Sequence, residues 1–229
     1  MIGVKSNRVG DLYRWFRSEL RYIKDERENR AVADEIFFRF FDLKPDQRIL
    51  ANDNRLSESG MVSLKRALNR LNRGEPVQYI TGLVDFLGND IYVAPGVLIP
   101  RQETCELTLW VKQGLEADPG NSKAEVMHIL DFCTGSGCIA VALSVFFPRH
   151  KIMACDYSFD ALHLAKQSSI SNNCNIDFFR CDALTKPNNA KPGESLDIIV
   201  SNPPYVTESE KAFIKPHVLD HEPHEALFV

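Results

Sequence analysis

Residues 197–206, Asp-Ile-Ile-Val-Ser-Asn-Pro-Pro-Tyr-Val, run from an apolar stretch straight into two prolines held between an amide and a phenol. Proline donates no hydrogen bond and fixes φ, and it pushes the preceding residue into an extended conformation. The tetrapeptide 202–205 is therefore stiff, and the side chains of Asn202 and Tyr205 leave it in set directions. Cys133-Thr134-Gly135-Ser136-Gly137 is a turn of another kind. Its glycines let the backbone pass close to a ligand, and the helix they open favours negative groups at its N-terminus. Asp156 ends the next apolar run, and an acidic residue there is the usual partner of ribose hydroxyls. Alone, the glycine turn fits any nucleotide-binding α/β domain, and Asn-Pro is a common turn former.

The elements around these residues must bring them together. From Val126 the pattern reads strand (126–132), glycine turn, small-residue helix (138–147), strand (150–156), helix (158–173), strand (175–182) and strand (196–202). Strands alternating with helices imply a parallel sheet with right-handed crossovers. Ligands bind such sheets outside the carboxyl ends of the strands. Those ends carry Asp131 with the Gly135–Gly137 turn, then Asp156, Asp182 and Asn202. A dinucleotide is disfavoured, because Ala140 stands where the last glycine of G-x-G-x-x-G belongs.

The first part of the chain reads helical. Val9, Leu12, Phe16, Leu20 and Ile23 recur at helical spacing, as do Val32, Ile36, Phe40 and Leu43, and Met61, Leu64, Leu68 and Leu71. Ser57 is an expected N-cap and Gly74 an expected C-terminal stop. Two β-rich runs, 78–86 and 90–94, flank Gly88-Asn89-Asp90 as a hairpin, and a helix is expected from about Glu103 to Gln113. The expected organisation is a helical domain over 1–74, a hairpin linker over 75–102 and an α/β domain over 103–229.

Bulk properties narrow the function classes. With 229 residues, 44% hydrophobic and 25% charged, the chain can bury a large core and is not of disordered composition. There is no apolar run of membrane-spanning length and no signal-peptide pattern, so the expected location is the cytoplasm. None of the six cysteines forms Cys-x-x-Cys and no histidine spacing completes a metal site; the cysteines read as small buried hydrophobes, and His217, His221 and His224 as solvated surface. The first 73 residues carry 16 Lys and Arg against 11 Asp and Glu, while the rest is acidic, so direct nucleic-acid binding by the α/β half is not expected.

Glycine turn, acidic second strand and Asn-Pro-Pro-Tyr after the fourth strand together resemble the class I S-adenosylmethionine-dependent methyltransferases, in particular those that methylate a planar nitrogen. Residues 74–82 (Gly-Glu-Pro-Val-Gln-Tyr-Ile-Thr-Gly), Phe86 and residues 97–104 (Val-Leu-Ile-Pro-Arg-Gln-Glu-Thr) narrow this to the HemK/PrmC family of glutamine N5-methyltransferases, over about residues 8–228. The resemblance implies a helical recognition domain, a hairpin and a methyltransferase domain. It implies S-adenosyl-L-methionine as cofactor and the Gly-Gly-Gln loop of class I peptide-chain release factors as substrate.

By position, the resemblance makes Asp131 a cofactor-binding residue and places Cys133 to Gly137 by the methionine part of the cofactor, Asp156 at the ribose, and Asp182 and Ala183 by the adenine. Asn202, Pro203, Pro204 and Tyr205 are the implied catalytic group, with Asn202 also near the cofactor; Phe86, Arg101, Glu103 and Thr104 are substrate-loop candidates, Arg101 to Thr104 reading equally as a capped helix start.

Two departures from the family stand out. Cys133 takes the place of a turn glycine, as in sister enzymes that methylate a ribosomal-protein glutamine. The family's sheet order, 3-2-1-4-5-7-6, also needs strands beyond those read here, so strand four is expected as an unpaired apolar edge of a shortened sheet. Alternatives left open are the ribosomal-protein substrate, a nucleic-acid amino methyltransferase, and a binding module without turnover.

Overall fold

The computed structural model describes residues 6–117, 126–182, 195–214 and 216–229. By internal contact the chain divides into two compact units, Met1–Thr81 and Gly82–Val229.

The first unit is helical: α1 (Val9–Glu19), α2 (Glu26–Phe41), α3 (Pro45–Leu50), α4 (Glu58–Leu71) and α5 (Val77–Thr81). Its core joins Leu12, Phe16, Ile36, Phe37 and Leu64, all fully buried, and each such burial contributes about 1.5–3 kcal/mol. Asp25 caps α2 by accepting the N–H groups of Arg27 and Glu28. Ser57 caps α4 through the Gly60 N–H, 3.1 Å away. The periodicity through Ile23 overruns the first helix, because the chain turns at Leu20. There Asn72 accepts the N–H groups of Arg21 and Tyr22 and donates to the Glu19 carbonyl. Gly74, with φ 84°, follows the α4 C-cap Asn72 by two residues.

The second unit opens with an antiparallel hairpin, β1 (Leu83–Phe86) and β2 (Asn89–Tyr92). The β-rich stretch expected from residue 78 is helical up to Thr81. Pro76 precedes α5, and Gly82, at φ 76°, ends it. The turn sits one residue earlier than its glycine suggested: Leu87 and Gly88 both have positive φ, the two-residue arrangement whose twist matches the flanking strands.

Next come α6 (Gln102–Ala117), β3 (His128–Phe132), α7 (Cys138–Phe146), β4 (Lys151–Asp156), α8 (Phe159–Ser171), β5 (Ile176–Arg180), β6 (Ile198–Ser201) and the short α9 (Pro216–His221). The strands form a parallel sheet in the order β5-β4-β3-β6, the 3-2-1-4 part of the order that the resemblance implies. Residues Cys138 to Ser144 of α7 are all buried, and Cys138 to Leu143 share one core with Ile129, Ile152, Ala154 and Val200 of the sheet. The hairpin is tied to α8, where the Tyr92 N–H donates to Ser168 Oγ at 2.9 Å and Asn172 donates to the Asp90 carbonyl at 2.8 Å. Among the described residues β6 pairs with β3 alone, and Ile199 on it is 62% exposed. No described helix is long and apolar enough to cross a membrane.

Candidate functional site

The register of the sheet builds the site. Phe132 pairs with Cys155 on one side and with Ser201 on the other, and Ser201 Oγ donates to the Phe132 carbonyl at 2.6 Å. Cys133 and Asn202 are thus the next residues on neighbouring strands, and parallel neighbours lie about 4.8 Å apart. Asp156 ends β4 on the other side of β3. The glycine turn, the β4 acid and Asn-Pro-Pro-Tyr therefore leave the same edge of the sheet side by side.

The turn after β3 is held by two carboxylates doing different work. Asp131 is fully buried, and its Oδ2 accepts from Thr134 Oγ1 at 2.5 Å and from the Ala140 N–H at 3.1 Å. It braces the turn and the start of α7. Burial pushes its pKa up to about 7, against the lowering effect of those two hydrogen bonds. Its Oδ1 has no partner among the described residues.

Asp156 is half-buried at the rim. Its Oδ2 accepts the Gly135 N–H at 2.8 Å and its Oδ1 the Ser158 N–H at 2.9 Å. A carboxylate offers about four lone-pair sites, so acceptor capacity remains for hydroxyl groups.

The two glycines differ. A Cβ at Gly135 would meet nothing within 4 Å, whereas one at Gly137 would meet the Ala165 Cβ at 2.8 Å. Gly135 therefore borders open space, and Gly137 lets α7 approach α8. Thr134 and Ser136 are buried, and the Thr134 N–H donates to the Cys155 carbonyl at 2.9 Å. Cys133 adopts φ 61°, a left-handed conformation in which a Cβ is disfavoured. Burial pushes the thiols of Cys133, Cys138 and Cys155 up, the latter two to about 12, so they stay protonated and are poor nucleophiles. Asp182 is half-buried just past β5, beside an exposed stack of Tyr157, Arg180 and Phe159, with the guanidinium 4.8 and 4.6 Å from the two ring centres. Ala183 lies outside the described residues.

Asn202 is half-buried, and its Nδ2 donates to Thr104 Oγ1 at 3.0 Å. Pro203 is exposed, Pro204 half-buried, and the Tyr205 ring 70% exposed. Of the substrate-loop candidates, Thr104 is buried against Asn202, Glu103 is exposed in the first turn of α6, and Arg101 pairs with Glu222. Phe86, expected at the substrate loop, is instead fully buried in the core with Ile91 and Ile129. Glu222 escaped the sequence reading. Its buried carboxylate accepts from Arg101 and from the Ile99 N–H at 3.3 Å, and the signal available was one acid before Pro223, with Asp220 and Glu225 close by in sequence.

Comparison with known proteins bears on this geometry. Residues 11–82 match the family described as the PrmC N-terminal domain, and residues 120–222 the methyltransferase small domain. The release factor glutamine methyltransferase of Bacteroides thetaiotaomicron is 38% identical over 216 residues, covering 94% of this chain and 74% of that protein. Its namesake from Koribacter versatilis is 40% identical over 217 residues, covering 93% and 74%. The chain belongs to the release factor glutamine methyltransferase family. It is an S-adenosylmethionine-dependent methyltransferase, and the residues present fit that cofactor. Open space over Gly135, the remaining capacity of Asp156 and the turn opening α7 suit a ligand with an amino-acid arm and a ribose. In this methyltransferase Thr104 meets the Asn-Pro-Pro-Tyr corner through the Asn202 side chain.

Proposed function

We propose that this chain methylates the side-chain amide nitrogen, N5, of the glutamine in the Gly-Gly-Gln motif of class I peptide-chain release factors. The observation that carries the reading is the register that sets Asn202 beside the turn at Cys133 on neighbouring strands. An amide-binding corner then stands one strand from the cofactor loop. The family's named substrates point to the release factor.

An amide nitrogen is a poor nucleophile because its lone pair is delocalised into the carbonyl. Asn202 Oδ1 and the Pro203 carbonyl accept the two N–H groups of the glutamine amide and turn the nitrogen toward the cofactor. Effective molarity from such positioning contributes several kcal/mol. The same acceptors stabilise the positive charge that grows on nitrogen as its bond to carbon forms. Bound S-adenosylmethionine supplies a sulfonium methyl group, whose C–S electron pair stays on sulfur as the methyl leaves. The nitrogen then sheds one proton to solvent, so no strong base is needed. Pro203 and Pro204 hold the corner rigid, and the exposed Tyr205 ring packs on the planar amide. Asp156 holds the ribose hydroxyls, residues Cys133 to Gly137 the methionine part, and Asp182 the adenine side.

The test is methyl transfer from labelled S-adenosylmethionine to a purified release factor, beside its Gly-Gly-Ala variant. Label on the first and not the second is expected. Equal labelling of both would remove glutamine as the acceptor.

A further inference from the structure

An asparagine side chain has two ends of nearly equal shape and opposite hydrogen-bonding character. At position 202 the Nδ2 end is engaged inside the protein, donating to Thr104 Oγ1 at 3.0 Å, and Thr104 is 4% exposed. Among the described residues Oδ1 has no hydrogen-bond partner. Thr104 is itself fixed. Its N–H donates to the Arg101 carbonyl at 3.1 Å, and its own carbonyl accepts from Thr108 Oγ1 at 2.8 Å. Arg101 in turn is paired with the Glu222 carboxylate. The hydroxyl that receives Asn202 is thus the end of a chain of contacts running back to the segment after Asn-Pro-Pro-Tyr.

We propose that Thr104 is a positioning residue, which accepts from Asn202 Nδ2 and holds that amide in place at the Asn-Pro-Pro-Tyr corner. This rests on the proposed glutamine chemistry, in which Asn202 Oδ1 and the Pro203 carbonyl accept the glutamine N–H groups. Thr104 touches neither substrate nor cofactor and acts through Asn202 alone.

The experiment compares the wild type with Thr104→Val, which has the same shape without the acceptor, and Thr104→Ser, which restores it. Each is measured for kcat and KM on the release factor, for cofactor affinity by calorimetry, and for the Asn202 side-chain NH₂ signal in ¹⁵N-labelled protein. Loss of a supporting partner typically lowers activity about 10- to 100-fold, and Thr104→Val is expected to lower kcat by that factor. KM and cofactor affinity should change less than about threefold, because no binding contact is removed. Thr104→Ser should recover kcat to within about threefold, because its hydroxyl offers the same two lone pairs. In the wild type and Thr104→Ser the Asn202 NH₂ protons should be shifted and slow to exchange; in Thr104→Val they should move to the positions of a solvated amide.

Unchanged kcat and unchanged NH₂ signal in Thr104→Val would overturn the assignment, even with an active wild type that loses transfer in Asn202→Ala. Equal loss in Thr104→Val and Thr104→Ser would overturn it too, since that is the mark of damaged packing. An inactive wild type would count against the substrate reading, while the NH₂ signals would still decide whether Thr104 holds the amide.

Discussion

Glu222 reaches back 121 residues to pair with Arg101, its side chain 1% exposed against 35% for the arginine. The same carboxylate accepts the Ile99 N–H, so one acid pins two points of the segment leading into α6. Breaking a buried pair from one side typically costs about 3–5 kcal/mol, because the remaining charge is left uncompensated. Arg101 retains contact with water, so Glu222→Ala is expected to destabilise the second unit by less, about 2–3 kcal/mol. Glu222→Gln keeps an acceptor for Ile99 and should lose about half as much. Urea unfolding checks both, read as a shift in midpoint at constant slope. A midpoint unmoved by Glu222→Ala would show that the pair adds nothing to stability.

What could be read ahead of the structure follows from how local each signal is. The strands that carry Asp131, Asp156 and Asn202 are short apolar runs between helical patterns, and the sheet places them side by side. The helices of the first unit were legible where three or four apolar residues recur, as in α4. Residues 77–81 were not, because Val77, Tyr79, Ile80 and Thr81 are β-rich by composition; only Pro76 before them and Gly82 after them mark a single helical turn. Phe86, a substrate-loop candidate by its motif position, lies in the core, because a motif position says nothing of burial. The Asn202–Thr104 and Glu222–Arg101 contacts span 98 and 121 residues, and no periodicity reports on pairs so far apart.

Cys133 sits at φ 61°, where a residue with a Cβ is disfavoured by about 1–2 kcal/mol. Cys133→Gly removes that strain and loses a half-buried thiol, so it should raise stability by up to about 1 kcal/mol. Cys133→Ala keeps the strain and loses the thiol, so it should lower stability. Thermal unfolding of the two variants separates the effects by sign. If both lowered Tm equally, thiol packing would outweigh the backbone at this position.

Gly135 and Gly137 should fail in different assays. Both have positive φ, 54° and 82°, so alanine at either position carries a strain of about 1 kcal/mol. At Gly137 the new Cβ also lies 2.8 Å from the Ala165 Cβ and 3.0 Å from its Cα, and overpacking of that kind adds about 1–3 kcal/mol. Gly137→Ala should therefore unfold at markedly lower urea. Gly135→Ala meets no protein atom but fills the space over the turn, so it should weaken S-adenosylmethionine binding while moving the unfolding midpoint little. Calorimetric titration with the cofactor, set beside urea melts, reads the two effects separately. Equal behaviour of the two variants in both assays would undo the distinction between a packing glycine and a cofactor-facing one.

Asp131 should make stability depend on pH in a direction opposite to most carboxylates. Burial raises its folded-state pKa to about 7 from a usual value of 3.8. Between those values the folded protein holds a proton that the unfolded chain has released. Stability changes with pH in proportion to the protons bound in the unfolded state minus those bound in the folded state. That difference is negative here, so the contribution of Asp131 is full below about pH 4 and is lost as pH rises through about 7. With Oδ2 already accepting from Thr134 and Ala140, the proton resides on Oδ1, the oxygen without a partner among the described residues. Asp131→Asn has no such proton to lose. The stability of the wild type relative to Asp131→Asn should therefore decline steadily between pH 4.5 and 7.5, a range set by the raised pKa. Urea unfolding of both proteins across that range checks it. A difference that stayed flat, or grew with pH, would mean that Asp131 is ionised in the folded protein and that the turn after β3 is braced by a buried charge.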